Sequence, residues 1–304
     1  MRYCALGRVG VETAGGFVDI TGEYRRLLFQ ILLVSEGRPV LHDVLIEELW
    51  GGKAPGNAEN ALQAHISRIR RHLATIEPGR GAGRVQGHPQ GYRFDLDGIE
   101  LDTAVFANGI DRAARLRFDN PDAALRQVRA SLALWQGPIA DSTGRDLLRA
   151  AGERYEAYRL RGLATLFDIE LERGRHAAVL ADIQAVHSQY TLREDFCEHY
   201  MLALYRSGSQ VEALDAFRSL RSRLADELGL DPSPRLCALE QAILDHAPAL
   251  QRPGWPAPPL PERRPALATG SGDDRQARTS TPLRQVPCKA RTAPRSQPPG
   301  TSRQ

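Results

Sequence analysis

The sequence predicts a mainly α protein with a small β component near its N-terminal end, and three observations support that class. Short β-like runs, three amphipathic helices and a hairpin follow one another within residues 1–98. Helical periodicity then fills residues 99–247 and repeats with a 34-residue period. Proline crowds the remainder, residues 248–304. A chain of 304 residues is long enough for two ordinary domains. With 42% hydrophobic and 25% charged residues and a formal net charge of +3, it belongs to the soluble globular class.

"RYCALG" and "GVETAGGFVDI" open the chain as β-like runs, with Gly15-Gly16 as a turn signal. "EYRRLLFQILLVSEG" (23–37) reads as a helix in which Leu27, Leu28, Ile31, Leu32 and Val34 form a broad buried stripe and Gly37 is the stop. "PVLHDVLIEELWG" (39–51) is a second helix with Leu45, Leu49 and Trp50, stopped by Gly51-Gly52. The loop "KAPGNAEN" supplies Asn57 as a cap for a third helix around "NALQAHISRIRRHLA" (60–74). There Leu62, Ile66, Ile69 and Leu73 recur at helical spacing, while Asn60, Ala64, Ser67 and Arg71 face the other way with Arg68 beside them. "GRVQGHPQGYRFDL" (83–96) alternates around Val85, Tyr92 and Phe94 and reads as a hairpin. The third helix and this hairpin therefore make a helix with a wing. Six arginines oppose two glutamates between 57 and 93, a balance of +4, whereas the 56 residues before them balance at −1. Charge concentrated on helix and wing is the footprint of a phosphate-binding face.

In the helical region, "RGRHAAVLADIQAVHSQY" aligns with "SGSQVEALDAFRSLRSRL", setting Gly174 opposite Gly208, Leu180 opposite Leu214, Ile183 opposite Phe217 and Val186 opposite Leu220. Leu125, Val128 and Leu132 mark a weaker, earlier copy. A period of 34 is the tetratricopeptide spacing, in which helix pairs bury one another's apolar faces by stacking. Of 20 prolines, 12 fall between Pro248 and Pro299, and from 251 onward ten Lys/Arg face three Asp/Glu, a balance of +7. Such a composition predicts a disordered tail, solvated and without a specific job; weak, sequence-independent attraction to nucleic acid is the alternative that its charge allows.

Enzyme chemistry has no visible seat. H-E-x-x-H, G-x-S-x-G and a phosphate loop are absent, "GRGAG" (79–83) fails the G-x-G-x-x-G spacing, and Cys197-x-His199 has no partner Cys or His nearby. The four cysteines are far apart, so neither a disulfide framework nor a metal site is expected, and no cofactor. "MRYCALGRVGVETAGG" lacks the apolar run of a signal peptide, and "LLFQILLV" (27–34) is too short to span a bilayer. A cytoplasmic, nucleoid-associated protein is the expectation.

"NALQAHISRIRRHL" followed by "GYRF" resembles the recognition helix and wing of the OmpR/PhoB-type winged helix-turn-helix. "ALYRSGSQVEALDAFRSLRSRLADELGLDPSPRLCALEQAIL" (203–244) is similar to the bacterial transcriptional activator domain. In this order, over about residues 1–247, they resemble the Streptomyces antibiotic regulatory protein family. The resemblance implies a winged-helix DNA-binding domain (1–98), a tetratricopeptide-like activator domain (99–247) and a disordered tail (248–304). It further implies binding of promoter direct repeats near the −35 region, head-to-tail pairing on DNA, contact with the RNA polymerase sigma and alpha subunits, and activation of an antibiotic or other secondary-metabolite gene cluster. Larger relatives add an NTPase module; this sequence has neither that phosphate loop nor a receiver domain for aspartyl phosphorylation.

With the helix laid in a major groove, Asn60, Gln63, Ala64 and Arg68 form the expected base-facing set. Asn and Gln can pair with adenine, Arg with guanine, and Ala64 can touch a thymine methyl. Asn57, Ser67, Arg70 and Arg71 are the expected phosphate contacts, joined by Arg84 and Arg93 from the wing. A solvated helix face is the plainer alternative for Arg70 and Arg71. His65 reads equally as a phosphate contact and as packing. His88-Pro89 stands where response-regulator relatives usually place a minor-groove arginine, so His88 reads equally as a turn residue and as a DNA contact. Tyr92 is expected under the wing, and Trp50 and Trp135 in core or helix seams. The rival function is a helical-repeat scaffold whose winged helix binds protein.

Overall fold

The computed structural model describes residues 1–139 and 146–251. The tail expected to be disordered lies, after its first turn Pro248–Gln251, outside the described residues.

Strands β1 (Arg2–Cys4), β2 (Gly10–Thr13) and β3 (Gly16–Asp19) form an antiparallel meander, with Thr13 paired to Gly16 across the expected turn. Helix α1 (Glu23–Val34) then buries a continuous run from Leu27 to Val34. It stops three residues before Gly37, because Glu36 already takes a left-handed φ of 51°. Strand β4 (Val40–Leu41) occupies what the sequence suggested was the start of the second helix, so α2 runs only from His42 to Trp50. The third helix, α3, spans Ala58–Ile76, and β5 (Val85–His88) and β6 (Gly91–Phe94) form the wing. The wing is a three-stranded sheet, β4-β6-β5, in which Val40 pairs with Tyr92 and Leu41 with Gly91. Gly91 is required there: a Cβ would lie 1.9 Å from the Val40 carbonyl oxygen.

Strand β7 (Glu100–Leu101) returns to pair in parallel with β1, completing a four-stranded sheet ordered β3-β2-β1-β7. Helices α4 (Asp102–Leu116), α5 (Pro121–Leu132), α6 (Asp146–Glu172), α7 (His176–Gln189), α8 (Glu194–Arg206), α9 (Gln210–Arg223) and α10 (Pro234–Leu244) follow. The 34-residue period corresponds to α7 and α9, each packed on α8. Gly174 (φ 71°) and Gly208 (φ 86°) enter these helices in the same left-handed conformation, which a side chain would strain. Ile183 and Phe217, and Val186 and Leu220, are buried at matching positions. Leu214 is also buried, whereas Leu180 is half-buried because Val179 takes the inward place.

Two apolar cores divide within α6. The first runs from Tyr3 and Leu6 through α1–α3, the wing, α4 and α5 to Tyr155 and Ile169; the second gathers α6–α10 around Phe167, Phe196 and Phe217. The first core thus continues past residue 98 into α4–α6. Asp102, at the first turn of α4, accepts the backbone N–H groups of Ala5 (3.0 and 2.9 Å) and Leu6 (2.9 Å). Glu48 of α2 accepts the Leu147 N–H at the start of α6 (2.6 Å), and Glu36 accepts from Arg154 (2.9 Å) and Tyr155 (2.7 Å).

Candidate nucleic-acid interface

Leu62, Ile66, Ile69 and Leu73 are each no more than 1% exposed. Burying such a side chain contributes about 1.5–3 kcal/mol, so four together fix which way α3 faces. The face left in solvent carries Asn60, Gln63, Ala64, Ser67, Arg68 and Arg71, all exposed. Among the described residues, Arg68 and Arg71 make no ion pair, leaving two unneutralised guanidinium groups on one helix surface. Asn57 is exposed at the N-cap position, but its side chain accepts no capping hydrogen bond, contrary to the expectation that it caps the helix.

Two of the expected phosphate contacts are turned inward. Arg84, expected to hold a backbone phosphate, has a side chain only 1% exposed and cannot reach one. Its Nη2 and Nε donate to the Glu77 carboxylate at 2.6 and 2.8 Å, and its Nη1 donates to the Asp97 carbonyl at 2.6 Å. Burial of a guanidinium demands such a partner. Glu77 is the one carboxylate between 60 and 94, the signal in the sequence that was available for this pairing. Arg70 is half-buried; its Nε donates to the Val85 carbonyl at 2.9 Å and its guanidinium lies 5.9 Å from the Tyr92 ring centre. It joins α3 to the wing, so at most its terminal nitrogens remain for a ligand.

His65 is half-buried between aromatic rings, 5.8 Å from Tyr24 and 6.1 Å from Trp50. Burial first, then the charges of Arg68 and Arg25, push its pKa below the ordinary 6.5. A neutral, packed imidazole is a poor phosphate ligand, so of its two expected roles the structure favours packing. Tyr24 on α1 completes this aromatic cluster and escaped the sequence reading. On the wing, His88 and Arg93 are exposed. Arg93 is held by Gln86, directly opposite in the hairpin, through donations of 2.9 and 2.7 Å to one amide oxygen. Gln86 is a second residue the sequence reading passed over. Tyr92 lies under the wing, Trp50 on the α1–α3 seam and Trp135 against Phe106, as expected.

The arrangement is a solvent-facing cationic helix braced by a wing that carries a further cation, and it can oppose an anionic groove. No described helix is long and apolar enough to cross a membrane, and no described His/Cys/Asp/Glu cluster could hold a metal.

Comparison with known proteins agrees with this layout. Residues 18–94 match the family described as "Transcriptional regulatory protein, C terminal", and residues 101–244 match "Bacterial transcriptional activator domain". The chain is 35% identical over 260 residues to transcriptional regulator RedD of Streptomyces coelicolor, covering 84% of this chain and 74% of that one. It is 31% identical to regulatory protein DnrI of Streptomyces peucetius, covering 85% of this chain and 97% of that one. A solved structure of Mycobacterium tuberculosis EmbR in complex with a low-affinity phosphopeptide superimposes with a TM-score of 0.66 at 28% identity, over 81% of this chain and 65% of that one. These relatives are named regulators, a non-enzymatic class, and the order of the two matched segments is that of the helix-and-wing module followed by stacked helix pairs. The chain belongs to the Streptomyces antibiotic regulatory protein family of transcriptional activators.

Proposed function

We propose that this activator binds double-stranded promoter DNA through α3 and controls a secondary-metabolite, antibiotic-type gene cluster. The observation behind the reading is the exposed face from Asn60 to Arg71, with two arginines lacking carboxylate partners among the described residues. Asn60, Gln63, Ala64 and Arg68 read base edges in the major groove, while Asn57, Ser67 and Arg71 meet phosphates. Arg93, splinted by Gln86, adds a wing phosphate contact, and the exposed His88 at the wing tip serves either as a turn residue or as a further DNA contact. Two copies pair head to tail on direct repeats. The stacked helices offer the surface that meets the RNA polymerase sigma and alpha subunits. Its place of work is then the nucleoid.

Fluorescence-anisotropy titrations of a promoter duplex at several salt concentrations test the reading. Arg68→Ala should lose about 1–3 kcal/mol on the cognate duplex and little on scrambled DNA. Arg71→Ala should weaken both duplexes alike and reduce the slope of log K against log salt by about 0.9. If both variants bind like wild type across the salt series, the helix is not the DNA-reading element, and the scaffold alternative gains.

A further inference from the structure

A cavity of ≈ 450 Å³ opens at the seam between the N-terminal strands and helices and α6. One wall includes Leu41 of β4 and Val44 of α2; the facing wall includes Leu147 and Ala150 of α6. Leu41 is 46% and Val44 37% exposed, so the lining is apolar surface left in contact with water. The charged groups on its rim are Arg38 and Arg154. Arg154 is committed to Glu36 at 2.9 Å and to the Tyr155 hydroxyl oxygen at 2.7 Å. The remaining polar side chain, Ser35, donates to the Ile31 carbonyl at 2.7 Å. Arg38 is exposed and, among the described residues, makes no ion pair. Of the two guanidinium groups on the rim, Arg154 is neutralised by Glu36 from outside the lining and Arg38 is left as the one unbalanced positive charge.

Small-molecule sites occupy about 300–1,000 Å³, are mostly apolar, and fix their ligand with a few polar groups. We propose that this cavity binds a small amphipathic monoanion, its apolar body between α2 and α6 and its carboxylate toward Arg38. The occupant would touch both halves of the molecule. On one side it lies against β4, whose Val40 and Leu41 pair with the wing residues Tyr92 and Gly91. On the other it lies against α6, which continues into the second core. A bound ligand therefore bridges the wing's supporting strand to the helical stack, independently of any DNA contact.

Decanoate is a suitable probe, with decanol and decyltrimethylammonium as its neutral and cationic counterparts. Calorimetric titration of the full chain should show one decanoate site, and decanoate should raise the melting temperature, as any ligand selective for the folded state does. Arg38→Glu should weaken decanoate by roughly tenfold and leave decanol nearly unchanged. Ala150→Trp, at an exposed position of α6, should fill the cavity and abolish binding of decanoate and decanol alike. Val44→Asp serves as a second blocking variant should the tryptophan disturb folding. Equal affinity for decanoate and decyltrimethylammonium would overturn the charge selection. Absence of binding, or binding unaffected by both blocking variants, would overturn the site.

Discussion

Arg68 and Arg84 carry the same guanidinium, and the fold uses them in opposite ways. Arg68 stands in solvent with no carboxylate partner among the described residues, while Arg84 is sealed between Glu77 and the Asp97 carbonyl. Charge counts along the chain could not separate these fates, because burial depends on which side of a three-dimensional turn a residue lands. The Arg84–Glu77 pair joins the end of α3 to the base of the wing, and the Tyr3 hydroxyl adds a donation to Glu77 at 2.9 Å. Removing one partner of a buried pair leaves an uncompensated charge, so Glu77→Ala should cost about 3 kcal/mol or more in a chemical denaturation curve. The pH dependence has a definite sign. The hydrogen bonds from Arg84 hold the Glu77 carboxyl below its ordinary 4.5. Its stabilisation is therefore complete above that value and is lost as pH falls through the lowered pKa. His65 acts earlier and in the same direction: its lowered pKa makes protonation unfavourable to the fold, so stability begins to fall below pH 6.5. Asp102, pushed up to about 6 by burial, acts with the opposite sign, so the test is a difference between proteins: Glu77→Gln should flatten the fall in melting temperature below about pH 4.5 relative to the intact chain.

At the scale of elements, long periodic segments were legible and short ones were not. The apolar stripe of α3 declares its buried side because four large residues repeat at helical spacing, and the structure buries all four. The 34-residue repeat was readable for the same reason, reinforced by glycines at matching helix entries. Gly208→Ala would put a Cβ on a residue with φ of 86° and should cost about 1 kcal/mol, read from the same denaturation curve. Strand β4 escaped detection since two residues carry no period, and its pairing with β6 is a contact between distant parts of the sequence. The packing role of His65 was equally hidden: its neighbours Tyr24 and Trp50 come from α1 and α2, and only the tertiary fold brings the three rings together. The exposed set Asn60, Gln63, Ala64 and Arg68 was legible as a surface, yet what that surface touches is a property of a second molecule.

On the scale of the whole molecule, the N-terminal module and the first helices of the stack share a core and several hydrogen-bonded ties. Asp102, Glu48 and Glu36 each accept hydrogen bonds across that seam. Cutting at residue 98 would remove β7 and α4–α6 from the first core, and with them the buried Phe106, Ile110, Val128 and Tyr155. Residues 1–98 alone should therefore melt at least several degrees below the intact protein in calorimetry, since losing even about 1 kcal/mol shifts a domain of this size by about 4–8 °C. If that fragment retains DNA binding, it should do so weakly and without activating transcription in a purified system. Full activation by the fragment would remove the helical stack from the polymerase-contacting role. The proposed function turns on the orientation of one helix against nucleotide edges. A photo-cross-linker installed in place of Gln63, on the full-length protein bound to a footprinted promoter duplex, tests it most directly. Cross-links to bases inside the bound repeats are the predicted result; cross-links confined to another protein chain, with none to DNA, would contradict it.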